Sequence, residues 1–161
     1  MVLIVAAVPG SLLIRRALND ETRRDPRSSG PVPAFRLQAT DGTTVSSADF
    51  AGRPAVVHFF ASWCPPCREG VPVLADTRRR HPDVLMVGVI VRDDAAAASE
   101  AARSAGVDWP LLLDPDEEAA RGFGVDSAPV TFFVSPDGQI TGRLIGQLSG
   151  LLMDRQLKRI L

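Results

Sequence analysis

Two cysteines, Cys64 and Cys67, stand three positions apart in the string Phe60-Ala-Ser-Trp-Cys-Pro-Pro-Cys-Arg68, and they constrain the chain more than any other feature. Upstream, Ala55–Ala61 is a near-continuous apolar run, the pattern of a strand covered on both faces. Downstream, Pro66–Arg80 reads as a helix, with Val71, Leu74 and Ala75 at helical spacing and Pro72 expected to bend it. The pair therefore sits where a buried strand hands over to a helix. A cysteine at a helix N-terminus meets free N–H groups and the positive end of the dipole, and both favour an anion. The thiolate is the species that attacks disulfides, and such sites hold a cysteine pKa at about 3.5–7.5, against about 8.5 for a free thiol. A two-residue gap lets the second sulfur reach back and resolve a mixed disulfide. Pro65 and Pro66 stiffen the turn at positions whose N–H groups lack helical partners anyway.

Other uses of the pair fit less well. Two cysteines are too few for a disulfide framework or a four-cysteine zinc site. A mixed zinc site would need His58 and His81, which flank the pair on opposite sides instead of forming a histidine half-site. Packing alone would not require the prolines or the strand-to-helix position. The chain itself, 161 residues with 45% hydrophobic and 23% charged, suits one globular domain plus a short appendage. Its net charge of −1 advertises neither nucleic acid nor an anionic surface as partner.

Residues 1–29 read as an anchor-like segment and linker, and residues 30–161 as the folded domain. Val2–Ile14 is largely apolar but shorter than the ~20 residues of a full span, and Pro9, Gly10 and Ser11 interrupt it. No basic stretch precedes it; Arg15, Arg16, Arg23, Arg24 and Arg27 follow it, which by the positive-inside tendency opposes an extracytoplasmic domain. A start upstream of Met1 would reconcile the two. A surface-lying N-terminal helix is the plainer alternative.

Within the domain, Phe35–Thr40 and Thr43–Ser46 read as a strand pair, Val84–Val91 as a buried strand, and Ala95–Ala105 as a helix stopped by Gly106. Leu111–Asp114 reads as a strand and Glu117–Phe123 as a helix closed by Gly124. Val130–Ser135 and Gln139–Ile145 form a hairpin around Pro136-Asp-Gly138, and Leu148–Ile160 a closing amphipathic helix. This is an α/β pattern: a sheet flanked by helices.

At these residues the chain resembles the thioredoxin fold. Trp63-Cys64-Pro65-Pro66-Cys67 with Pro72 is similar to that superfamily's active-site helix, and Gly124-Val-Asp-Ser-Ala-Pro-Val-Thr-Phe-Phe133 to its cis-proline loop. Within it, the chain resembles the TlpA/ResA/CcmG (DsbE) type. The opening Val32-Pro-Ala-Phe-Arg-Leu37 with Asp41-Gly42 is similar to that group's N-terminal β-hairpin, and Asp93–Leu113 to its central insertion in a mixed sheet.

The resemblance implies thiol–disulfide exchange with Cys64 as nucleophile and Cys67 as resolver, and no cofactor beyond that redox-active pair. It implies that Pro129, with Ala128 and Thr131 beside it, positions the substrate strand. Trp63 reads as core packing, as part of the docking surface next to an exposed thiol, or as both. The resemblance implies as partners protein thiols and disulfides such as apocytochrome c, and a membrane electron donor of the CcdA or DsbD type. The place would be the extracytoplasmic face of the membrane, with anchoring through the N-terminal segment. The opposite direction, a disulfide-forming oxidant, is an alternative that the motif does not exclude. A thioredoxin-fold copper carrier is another; those resemble Cys-x₃-Cys with a downstream His, and this chain has no His after His81. Peroxidase chemistry would want Thr or Ser where Ala61 stands.

Two positions depart from the pattern. His58 occupies the place of a buried Asp or Asn that assists proton transfer at the resolving sulfur; an imidazole could do that, or be a satisfied core residue. The reductases' Glu after the second cysteine is replaced by Gly70, and Glu69, about 100° around the helix, reads as a solvated carboxylate. Arg78, Arg79 and Arg80 read as a solvated helix end, Arg15 to Arg27 as a solvated or headgroup-facing linker, and Trp109-Pro110 as packing within the insertion.

Overall fold

The computed structural model describes residues 26–161. The anchor-like segment and its first arginines lie outside the described residues. A six-stranded mixed sheet in the order β1-β8-β7-β4-β5-β6 forms the centre. Its strands are β1 (Gly30–Pro31), β4 (Ala55–Phe60), β5 (Leu85–Ile90), β6 (Leu111–Leu113), β7 (Val130–Val134) and β8 (Gln139–Ile145). Strands β2 (Arg36–Gln38) and β3 (Thr44–Ser46) make a separate antiparallel pair, tied to the main sheet by an Ala39–Leu112 bridge. The helices are α1 (Pro65–Arg80), α2 (Ala95–Ser104), α3 (Glu118–Phe123) and α4 (Gly150–Leu157).

Strand β4 has all six residues buried and runs parallel to β5 and antiparallel to β7. Side chains alternate along it, so Ala55, Val57 and Phe59 join one core while Val56 and Phe60 join the other. The first core holds α3 and the N-terminal hairpin, where Phe123 packs 4.9 Å from Phe132, 5.2 Å from Phe59 and 6.1 Å from Phe35 (ring centroids). The second holds α1, α2 and α4 through Leu74, Ala98, Ala102, Met153 and Leu157, and both cysteines. Gly88 on β5 is a close-approach position: a Cβ there would meet Leu111 at 2.9 Å and the Phe60 ring at 3.0 Å.

The fold departs from the sequence reading in four places. Gly30–Pro31, at the start of the domain where no strand was expected, adds an edge strand to β8. Arg27 is not simply solvated: its guanidinium donates to Gly124 O (3.1 Å) and Asp126 Oδ2 (3.0 Å). The closing helix is shorter than Leu148–Ile160, because Ser149 caps it through Leu152 N–H and it ends at Leu157. The arginine triplet is not merely a solvated end, since Arg78 donates to Pro82 O and Arg80 bridges Asp76 to Asp154 of α4. Helix α1 continues through Pro72, which has no N–H to give the Arg68 carbonyl. Trp109 is buried in the second core, as packing within the insertion requires.

Phe123 is the hub of the first core. Phe123→Ala is expected to cost about 3–5 kcal/mol, read as a fall in the urea midpoint without a change in slope; a cost near zero would mean that this core does not stabilise the fold.

Candidate active site

The cysteine pair stands where β4 ends. The chain leaves the sheet at Phe60, turns through Ala61, Ser62 and Trp63, and enters α1 with Cys64 as its N-cap and Pro65 and Pro66 as its first two residues. Cys64 and Cys67 are joined as a disulfide, with Cα atoms 5.3 Å apart. The Cys67 N–H points at Cys64 Sγ, 3.2 Å away. In the reduced protein that amide and the helix dipole are the groups that stabilise a Cys64 thiolate. No carboxylate occupies the first turn of α1 to oppose it.

Cys64 is not an exposed thiol: it is 3% exposed, whereas Trp63 beside it is 59% exposed. The indole Nε1–H of Trp63 donates to the Arg92 carbonyl (3.1 Å), and the Ser62 N–H donates to the Asp93 carboxylate. Arg68 donates to Ser62 O at 3.2 Å, closing the turn from the helix side. Glu69 is exposed, and its carboxylate accepts from Gln147 Nε2 at 2.8 Å.

Antiparallel register aligns Phe59 with Val130, so the chain just before β7 runs beside the end of β4. The Ala128–Pro129 peptide bond there is cis. Ala128 packs against the core that holds both cysteines, and Pro129 O accepts from Gly146 N–H at 2.9 Å. Thr131, expected among the substrate-facing residues, is instead fully buried, with its hydroxyl 2.9 Å from His58 Nδ1. Its side chain lies beneath the surface, against His58.

His58 lies between Val56 and Phe60, on the cysteine-bearing face of β4. Its ring stacks on Phe60 with centroids 6.0 Å apart, and its Nε2 is buried without a hydrogen-bond partner. Burial pushes its pKa down to about 4, so the imidazole is neutral. His81 caps the far end of α1, about 24 Å along the helix from the pair. The structure therefore does not bring both histidines to the cysteines, as a zinc site would need. Among the described residues no group of three or more His, Cys, Asp or Glu could hold a metal ion. Sequence reading missed Arg92 and Asp93. Their position just past a buried strand was the only signal for them, because the contacts they make are long-range.

His58 sets a pH dependence of stability. Unfolding restores its ordinary pKa near 6.5, so between about pH 6.5 and about pH 4 the unfolded chain binds a proton that the folded one refuses. Stability therefore falls as pH drops through that window, by about 3 kcal/mol in full, and is unaffected above it. His58→Gln is expected to lose less stability than the parent between about pH 7 and about pH 4.5 in urea unfolding; equal losses would mean that His58 titrates normally in the fold.

Residues 27–161 match the Redoxin family model. The DsbE thiol:disulfide interchange protein of Pseudomonas fluorescens biotype C is 33% identical over 129 residues, covering 79% of this chain and 71% of that one. The ResA thiol-disulfide oxidoreductase of Bacillus subtilis (strain 168) is 28% identical over 120 residues, covering 73% and 67%. Among solved structures, MTB DsbF in its mixed oxidized and reduced forms superposes with a TM-score of 0.74 at 30% identity, covering 79% of this chain and 95% of that one. The sheet order, the capped cysteine pair and these relatives agree, and the chain belongs to the Redoxin family, among the thioredoxin-fold thiol–disulfide oxidoreductases of the ResA and DsbE type.

Proposed function

We propose that this protein is a dithiol reductant of protein disulfides outside the cytoplasm, with apocytochrome c cysteines as the substrate class. The observation that carries the exchange chemistry is Cys64 at the N-cap of α1, with the Cys67 amide on its sulfur. Cys64 thiolate attacks one sulfur of the partner's disulfide, that S–S bond breaks, and the partner's other sulfur leaves as thiolate. Cys67 then loses its proton and attacks the Cys64 sulfur. The mixed disulfide breaks, the Cys64–Cys67 bond forms, and the partner departs carrying two electrons as a dithiol. A membrane dithiol donor of the CcdA or DsbD kind restores the reduced state by the reverse exchange. The protein needs no cofactor besides the cysteine pair.

Trp63, exposed beside Cys64, and the backbone around Ala128–Pro129 flank the entry and orient the partner's segment. His58 stands on the cysteine-bearing face of the sheet with an orphaned Nε2, which is the feature that supports a proton-transfer role. Burial keeps it neutral at rest, so in this reading it holds the Cys67 proton only in passing. The reducing direction rests on likeness to the ResA and DsbE relatives, and the extracytoplasmic placement on that likeness and the apolar segment Val2–Ile14, which would serve as the anchor. Among the described residues no helix is long and apolar enough to cross a membrane.

The reduction potential of the Cys64–Cys67 couple, titrated in a defined thiol/disulfide buffer, tests the direction. A value near or below about −250 mV is expected for a reductant. A value near about −120 mV would overturn the reducing assignment in favour of a disulfide-forming oxidant. A pair that does not titrate reversibly would overturn the exchange chemistry itself.

A further inference from the structure

Two non-glycine residues among those described have positive φ, Arg92 at +50° and Glu117 at +52°, and they are bonded to each other. Arg92 follows β5 and Glu117 precedes α3, so each sits in a loop at the same end of the sheet as Cys64. Left-handed backbone is unfavourable for such side chains and persists where the surroundings over-determine it. The determinant here is a fork. Arg92 Nε lies 3.1 Å from both Glu117 carboxylate oxygens, and Nη2 lies 2.7 Å from Oε2. The remaining Nη1 donates to the Asp126 carbonyl at 2.8 Å, three residues before Pro129. From the same residue, the Arg92 carbonyl accepts the Trp63 indole N–H.

Arg92 therefore touches three loops at once. Its carbonyl holds the Trp63 side of the cysteine turn, its Nη1 holds the segment leading into Ala128–Pro129, and its Nε and Nη2 are locked on Glu117. Arg92 and Glu117 both line an open cavity of about 220 Å³, together with Ile90, Ala95, Leu113 and Pro115. We propose that Arg92 is a positioning residue for exchange with protein partners: it fixes the separation between Trp63 and the Ala128–Pro129 segment, the two walls between which a partner's cysteine segment enters. This rests on the exchange reading above. A small disulfide needs only the sulfur and not the two walls, so Arg92 governs protein partners selectively. Arginine is required because lysine, a point charge on a flexible stem, cannot grip a carboxylate in two places and donate to a carbonyl as well.

The test compares the full chain with Arg92→Lys, Arg92→Gly and Glu117→Gln. Each is reduced beforehand and then oxidised by insulin or by glutathione disulfide, followed by acid quench and thiol alkylation. Arg92→Lys is expected to slow oxidation by insulin about tenfold, through a raised half-saturating concentration and not a lower limiting rate, as befits residues in one hydrogen-bond network. Oxidation by glutathione disulfide is expected to stay within about twofold. Arg92→Gly relieves the backbone conformation while removing the fork. It is expected to reproduce the selective loss, and Glu117→Gln to show a smaller loss of the same kind. Equal losses with both oxidants, or none with either, would overturn the positioning role. A parent protein that reacts with neither would overturn the exchange reading beneath it, and that outcome is separable because it needs no variant.

Discussion

Strand β4 is bonded on both sides, to β5 and to β7, and both its faces are buried, so its end is fixed in three directions. Register does the rest. Because β5 runs parallel to β4, Phe60 pairs with Ile90 and the chain past β5 emerges beside Cys64. Because β6 runs parallel to β5, Ile90 pairs with Leu113 and the loop toward Glu117 emerges there as well. Because β7 runs antiparallel, it delivers its entry, Ala128–Pro129, to the same edge. Four loops converge there because of strand direction, which places the chemistry beyond the carboxyl ends of the parallel strands.

The two charges nearest the pair, the Asp93 carboxylate and the Arg68 guanidinium, are both tied to Ser62 in the turn before it. His58 is neutral, and Glu69 faces solvent and Gln147. At the Cys64 sulfur itself the end of α1 acts at short range, through the Cys67 N–H and the aligned backbone dipoles. Such a source is fixed by the fold and does not titrate. The apolar core beneath then matters indirectly, by holding α1 in place through Leu74 and through Met153 and Leu157 of α4.

Strands β4, β5, β7 and β8 were legible in the sequence to within about two residues, a margin usual for element boundaries. They are near-continuous apolar runs or a hairpin marked by Pro136-Asp137-Gly138. The cysteine pair was legible because its chemistry is local: two sulfurs, two prolines and a helix start lie within five residues. What escaped was long-range. Gly30–Pro31 has no strand pattern and pairs only because β8 offers an edge. Arg80's bond to Asp76 is local, but nothing near Arg27, Arg80 or Arg92 in sequence marks the distant carbonyls and carboxylates they also reach, 25 to 99 positions away. Thr131 was placed on the docking surface because it follows the proline, yet strand alternation turns it inward to His58.

The covered sulfur and the exposed indole divide two tasks that a single exposed cysteine would have to combine. Reactivity is set by the helix end, which acts on Cys64 whatever approaches. Access is set by the walls, because a residue 3% exposed can be reached only along the opening that its neighbours leave. An oxidoreductase built this way can keep a reactive thiolate and still choose its partner, provided that the walls hold their spacing. Backbone alone does not hold it, since the loops past β5 and β6 and before β7 leave the sheet as separate strands of chain. Side-chain bonds between those loops, with Arg92 at their junction, are what convert three independent turns into one surface.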